Sequence, residues 1–300
     1  MLNFVVAQNG KGDFTTIQAA VDAVPVHPRE EVKIYVKAGI YEETIFIPDN
    51  KPGIRIVGED NERTHIVYGN YAKMKDLNGC EIGTFQTAVV YVHADDFIME
   101  NITIENHAGF GEEIGQAVAL YISGDRCVFN HVRLLGNQDT LYSSKGRHYF
   151  LDSYIEGHVD FIFGAGTAVF DNCTIHSLRS GYITAASTPK EQEFGFVFIN
   201  CRLTGNHEAD TVFLGRPWRP FSHTVFIKTW MGEHIKRSGW DNWRDETNET
   251  TARYSEHQSI GPGARLNERV QWSKQLSDEE ARTYCLKHIF HGADVWLPNF

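Results

Sequence analysis

The 300-residue chain has no run of about 18 apolar residues, so no segment reads as a membrane-spanning helix. It is short of positive charge: 28 Lys and Arg against 39 Asp and Glu give a formal net charge of −11. A nucleic-acid partner is disfavoured on that ground, because a phosphate backbone needs a basic face. A polyanionic carbohydrate is not, since a cleft can be locally basic on an acidic protein. The five cysteines (80, 127, 173, 201 and 285) are odd in number and contain no close pair of the metal-binding kind. Metal ligation is therefore not expected, and free thiols are favoured over a disulfide framework. No G-x-S-x-G is present to make a serine nucleophile elbow. The start, MLNFVVAQNGKGDF, lacks the basic stretch, apolar core and small-residue cleavage site of a signal peptide. The expectation is a cytoplasmic protein or, failing that, an exported one whose leader has been removed.

Two-residue Asn-Gly hairpin turns are scarce, and no helical pattern of 10–15 residues separates the short apolar runs. The first argues against a sandwich and the second against βαβ units. What is present is a weak repeat: an apolar residue, two further residues of which the second is usually polar, two variable ones, and an aliphatic. It occurs as MENITI (99–104), FNHVRL (129–134), FLDSYI (150–155), FDNCTI (170–175) and FINCRL (198–203), at spacings of 30, 21, 20 and 28 residues. Short strands repeating at this period mark a solenoid. The expected fold is all-β: one right-handed, single-stranded parallel β-helix occupying residues 1–300, each turn stacked about 4.8 Å on the last. Cys173 and Cys201 share one place in successive units and read as a small buried stack.

A solenoid needs caps. Thr15 or Thr16 starts a helix through Val24, with Pro25 ending it. Ser277 and Glu280 make a capping box for a C-terminal helix ending near Gly292. From about 228 to 275 the pattern is irregular and rich in Trp, Arg and Glu, so long loops with one or two strands packed on the coil are expected, the cap completing 228–300.

The chemistry sits between repeat units. Asp139 lies five residues past Leu134, and Asp160 five residues past Ile155, so the two share a register in consecutive coils, 21 residues apart. Tyr142 lies over Phe163 by the same spacing, and Gln116 falls 22 residues before Gln138. Gln116, Gln138, Asp139 and Asp160 should therefore share one face. Two carboxylates one rung apart repel by roughly 3 kcal/mol at about 5 Å and an effective dielectric of about 20, or about two pK units. One is then protonated or a cation sits nearby; Arg216, two units on, can supply it through its planar fork. An ionised carboxylate beside a protonated one suits nucleophile-plus-acid chemistry. It also suits a retaining glycosidase, a rival on the same fold.

The ordered motifs GIYEE (39–43), QAVAL (116–120), GNQDTLY (136–142), VDFIFGAGTAVFDNC (159–173) and LGRPW (214–218), with GPGA (261–264) and Val270-Gln271-Trp272, resemble the pectin methylesterase (pectinesterase) family. The resemblance runs from about residue 5 to about 275. It implies a hydrolase that removes methyl groups from methyl-esterified polygalacturonate, with no metal or organic cofactor. Asp160 matches the family's nucleophile, Asp139 its general acid and base, Gln116 and Gln138 its oxyanion donors, and Arg216 the residue that holds the nucleophile. Trp218, Tyr142, Phe163 and Phe85 match aromatic positions of the sugar cleft. Tyr121, where plant members usually carry Arg, and the lack of a plant-type pro-region point to a bacterial type. The implied partner is pectin or methylated oligogalacturonides, handled by a monomer without membrane or nucleic acid. Besides a polygalacturonase-type glycosidase, a related esterase or thioesterase and an inactive carbohydrate-binding β-helix are the rivals. The two glutamines weigh against the glycosidase, because an oxyanion needs such donors and an oxocarbenium-like centre does not.

Overall fold

The computed structural model describes residues 2–206, 208–292 and 294–299. Among them, eleven strands form one sheet and thirteen another, and every strand pairing within these sheets is parallel. The first sheet climbs from Leu2–Val6 through Val32–Val36, Ile54–Gly58, Ile98–Glu100, Cys127–Asn130, Arg147–Leu151, Thr167–Asp171, Phe196–Ile199, His223–Ile227 and Arg253–His257 to Lys274–Gln275. The second sheet supplies two faces of the coil. One carries Thr103–Asn106 and Arg133–Leu135, and the other Leu120–Ile122, Leu141–Ser143 and Val212–Pro217. The faces merge where two long strands, Tyr154–Gly164 and Thr174–Ala186, run round the corner from one to the other. This is the expected parallel β-helix.

The repeat has a physical origin at each of its positions. Its first residue forms an internal ladder in which Phe129, Phe150, Phe170, Phe198 and Phe226 are aligned, fully buried and stacked at 4.5–4.9 Å. Emptying one such position, as in Phe170→Ala, removes contacts above and below and costs about 3–5 kcal/mol. The sixth residue forms a second buried ladder of Ile104, Leu134, Ile155, Ile175 and Leu203. The third residue turns the corner between faces with a left-handed backbone: φ is 54° at Asn101, 53° at His131, 47° at Asp152, 54° at Asn172 and 54° at Asn200. Asn, Asp and His tolerate that region best among side-chain-bearing residues, which is why the position is polar. Cys173 and Cys201 are buried one above the other, and all five cysteines are free thiols, with Cys80 and Cys285 exposed.

The caps follow the sequence at one end and depart from it at the other. Helix Ile17–Ala23 starts at Thr16, whose hydroxyl accepts from the Ala19 amide, and buries Ile17, Ala20 and Val21. At the C-terminus the Ser277–Glu280 capping box is present, but the single helix expected there is two, Asp278–Arg282 and Leu286–Ile289. Tyr284 breaks it: its ring packs on Phe194 and its hydroxyl meets His223 Nε2 at 3.1 Å, drawing the chain onto the sheet between the helices. The segment 228–275 is also more regular than its composition suggests. The coil continues through Lys228 (φ 51°) and Gln258 (φ 49°), and Trp230–Met231, Arg253–His257 and Lys274–Gln275 are strands within the sheets rather than one or two strands laid upon them. The 21 residues between Met231 and Arg253 hide the repeat.

Candidate active site

The corner between the two faces of the second sheet positions the chemistry. Asp160 lies inside Tyr154–Gly164 where that strand bends, and Asp139 lies one rung away between Arg133–Leu135 and Leu141–Ser143. Both have left-handed backbones, φ 52° and 66°, a conformation Asp accepts and most residues resist. The register Leu134↔Ile155 before them and Leu141↔Ile162 after them sets the two carboxylates on adjacent rungs, and the Asp139 amide donates to Val159 O at 3.1 Å. Gln138 precedes Asp139, and its carbonyl accepts from the Ala117 amide, which carries Gln116 to the same place from the rung below.

Arg216 reaches Asp160 from Val212–Pro217. Its Nε donates to Oδ1 at 2.9 Å and its Nη2 to Oδ2 at 2.7 Å, a two-pronged grip on one carboxylate. Gly215 allows the strand to sit that close, because a Cβ there would lie 2.0 Å from Thr184 Oγ1. The guanidinium is sandwiched between the rings of Tyr182, 3.8 Å away, and Trp243, 3.7 Å away. Such stacking on both faces leaves it free to move only in its own plane, toward Asp160.

Gln116, Gln138, Asp139, Asp160, Arg216, Trp218, Phe163 and Phe85 line one cavity of about 330 Å³, joined by Thr84, Ala185 and Trp243. Tyr142 stands at its side, stacked on Phe163 at 4.6 Å and tilted against Phe85 at 5.0 Å. All nine residues singled out in the sequence thus converge. Thr84, Ala185 and Trp243 are lining residues that the sequence did not offer, and of these Trp243 packs on Arg216. It falls in the long insertion, where no register could be read, and is carried to Arg216 because Trp240 pairs beside Gly215 and the Asp241 amide donates to Gly215 O. A larger cavity, about 500 Å³, lies under the C-terminal helices. Its cations are already engaged: Arg253 donates to the carbonyls of Pro189, Gln192, Glu193 and Phe221, and Lys274 pairs with Glu280.

The two carboxyls differ electrostatically. Burial pushes Asp139 well above the usual carboxylate range, and the neighbouring charge of Asp160 pushes it further; Arg216 only partly offsets this. Burial also raises Asp160, but two hydrogen bonds and the charge of Arg216 pull it back. The pair therefore holds its last proton on Asp139, leaving an ionised carboxylate beside a neutral acid. Facing amide donors in a partly dry cavity, this arrangement can attack a carbonyl carbon, stabilise the resulting oxyanion and protonate a leaving group. Among the described residues, no cluster of His, Cys, Asp and Glu is arranged to hold a metal ion.

A model of the family described as Pectinesterase matches residues 3–293 of the chain. Pectinesterase 31 of Arabidopsis thaliana is 42% identical over 281 residues, covering 92% of this chain and 88% of that protein. A solved pectin methylesterase from carrot superposes with a TM-score of 0.89 at 31% identity, covering 96% of this chain and 93% of that one. A pectin methylesterase solved in complex with a hexasaccharide superposes with a TM-score of 0.89 at 33% identity, covering 99% of both chains.

Proposed function

The chain belongs to the pectinesterase family, and from that premise we propose that it hydrolyses the methyl esters of polygalacturonate with Asp160 as nucleophile and Asp139 as general acid and base. One observation carries the assignment of roles: Arg216 grips Asp160 through both carboxylate oxygens, while Asp139, one rung away, has no such partner and keeps its proton.

The reaction then follows from the positions. An Asp160 oxygen attacks the C6 carbonyl carbon of a methyl galacturonate unit. The side-chain amides of Gln116 and Gln138 donate to the oxyanion as it develops. The C–OCH₃ bond breaks and Asp139 gives its proton to the departing methoxide, releasing methanol and leaving a mixed anhydride between Asp160 and C6. Asp139, now ionised, takes a proton from water as that water adds to the anhydride. Asp160 leaves as a carboxylate, C6 becomes a carboxylic acid that ionises, and Asp139 is protonated again. Phe163, Tyr142, Phe85 and Trp218 offer ring faces to the C–H faces of the sugar. The relative solved with a hexasaccharide supports a cleft that takes a chain and not a single sugar. The net charge of −11 fits a partner other than nucleic acid, and we read the working unit as a monomer with pectin as its partner.

The test is a pair of near-isosteric variants. Asp160→Asn and Asp139→Asn each keep the left-handed backbone and should each lose nearly all methanol release. The double variant should be no slower than the worse single one, because the two groups act as one unit. Substantial turnover by Asp160→Asn, with Asp139→Asn inactive, would move the nucleophile to Asp139.

A further inference from the structure

Gln116, one of the two oxyanion donors, stands on a stretch of chain that no strand holds. In the coil of Asp139 the chain passes from Leu135 to Leu141 in five residues, 136–140. In the coil below, thirteen residues, 107–119, separate Asn106 from Leu120, and in the next, twenty-one, 69–89, separate Tyr68 from Val90. The extra residues leave the coil as loops, so the regular ladder lapses where Gln116 has to be placed. Toward Asp139 the backbone of 116–119 is still paired: the Ala117 amide donates to Gln138 O at 3.1 Å and the Ala119 amide to Thr140 O at 2.8 Å. On the other side the Ala72 amide, at the root of the longer loop, donates to Gln116 O at 2.8 Å. The two backbone groups of Val118 are met there by side chains instead of a strand. Its amide donates to Thr87 Oγ1 at 3.0 Å, and its carbonyl accepts from Asn106 Nδ2 at 2.9 Å.

Asn106 answers more than one carbonyl. Its Nδ2 also donates to Asn70 O at 2.8 Å and to Thr87 O at 3.1 Å, the two ends of the longer loop, while its Oδ1 accepts from the Ala108 amide at 3.1 Å. Three carbonyls around one nitrogen fix which way the side-chain amide faces, and its two hydrogens are shared among them. Thr87 Oγ1, which accepts from Val118, donates its own hydrogen to Thr84 O at 2.7 Å. Asn106 and Thr87 are 2% and 0% exposed, behind the wall of the catalytic cavity and not on it. Removing either group leaves buried backbone polar atoms without a partner, and the segment that bears Gln116 must then shift to satisfy them.

We propose that Asn106 and Thr87 are positioning residues for the reaction: in place of the missing strand, their side chains set the Gln116 segment so that its amide meets the oxyanion. Neither touches the substrate. The inference rests on the esterase reading above, in which Gln116 is an oxyanion donor.

The test is a double-mutant cycle on steady-state methanol release from methylated pectin, with Tm recorded for every variant. Thr87→Val keeps the shape of the side chain and removes the hydroxyl. It should lower kcat about tenfold, with KM within about twofold of wild type, and Thr87→Ser should recover most of the loss. Asn106→Ala should lower kcat about 100-fold, the loss for a group displaced by about 1 Å. Gln116→Ala alone should lower kcat about 100-fold or more. In the Gln116→Ala background Thr87→Val should cost less than about twofold further, because no amide remains to be placed. The same factor in both backgrounds overturns the proposal, since general damage to the fold does not depend on Gln116. So does a loss carried by KM alone, or a Thr87→Val enzyme as fast as wild type. Asn106→Ala strips three carbonyls at once and is the variant more prone to misfold, so the Thr87 cycle decides. Absence of methanol release by wild type would overturn the esterase reading instead.

Discussion

Replacing Arg216 by lysine keeps a positive charge near Asp160 but removes the fork and the two stacked faces. In the native site the guanidinium makes charge-assisted bonds of 2.9 and 2.7 Å to the two oxygens and lies 3.8 and 3.7 Å from the rings of Tyr182 and Trp243. Lysine can keep one of those bonds. Losing the other weakens the preference for ionised Asp160 by roughly 2 kcal/mol, since a hydrogen bond to a charged group contributes about 1.5–3 kcal/mol. Both side chains are largely shielded from water, so screening by solvent does little to reduce this. Two kcal/mol corresponds to about 1.5 pK units, upward for Asp160. Because Asp160 must be ionised to attack, the acid limb of the rate profile should move to higher pH by about one unit or more. At the optimum, kcat should still fall about 100-fold, because a nucleophile free to shift by about 1 Å loses roughly that much. KM should change little, since Asp160 and not the sugar is what Arg216 holds. Steady-state methanol release on methylated pectin across a pH series reads all three quantities. A rise in KM with kcat and the acid limb unmoved would refute the reasoning and make Arg216 a substrate-binding group.

The sandwich itself is testable: Tyr182→Leu should lower kcat about tenfold and shift the acid limb in the same direction, and Tyr182→Phe, which keeps the ring over the guanidinium, should retain most of the activity. Asp139 also couples folding to pH. Its raised pKa means that, above the ordinary carboxylate range, the native protein keeps a proton that the unfolded chain gives up, so its stability is highest at acid pH and is lost as pH rises through the native pKa. Asp139→Asn removes that loss, so its Tm should gain on that of wild type as pH rises above the ordinary carboxylate range; a constant difference there would place the proton elsewhere.

The coil was readable in the sequence because its period is carried by side chains that cannot be exchanged freely. The Phe ladder through Phe129, Phe150 and Phe170 tolerates no polar residue, and the left-handed corner at Asn101, Asp152 and Asn172 favours a few residue types. The same regularity placed Asp139 over Asp160, since a fixed offset from a buried aliphatic is also a fixed place on the surface. Arg216 was legible both from its place two units on and from its motif, and the register Phe163↔Ala185↔Arg216 carries it back to Asp160. Trp243, Tyr182 and Asp241 were not singled out. Trp243 and Asp241 lie in an insertion whose path is set by pairing with Gly215, and Tyr182 is half-hidden beneath Arg216, where an aromatic in a strand reads as ordinary packing. The divided C-terminal helix went unread for a similar reason: Tyr284 is drawn down by His223, a contact across 61 residues. Tyr121, the departure from the motif, packs its ring against those of Tyr142 and Tyr91, 4.9 and 5.6 Å away.

The central claim, ester hydrolysis driven by Asp160, is tested most directly by measuring methanol and new reducing ends in one sample of highly methylated pectin treated with wild type and, in parallel, with Asp160→Asn. Wild type should release methanol and expose carboxylates while the number of reducing ends stays constant, and Asp160→Asn should do neither. Reducing ends without methanol would contradict the account and make the paired aspartates those of a glycosidase.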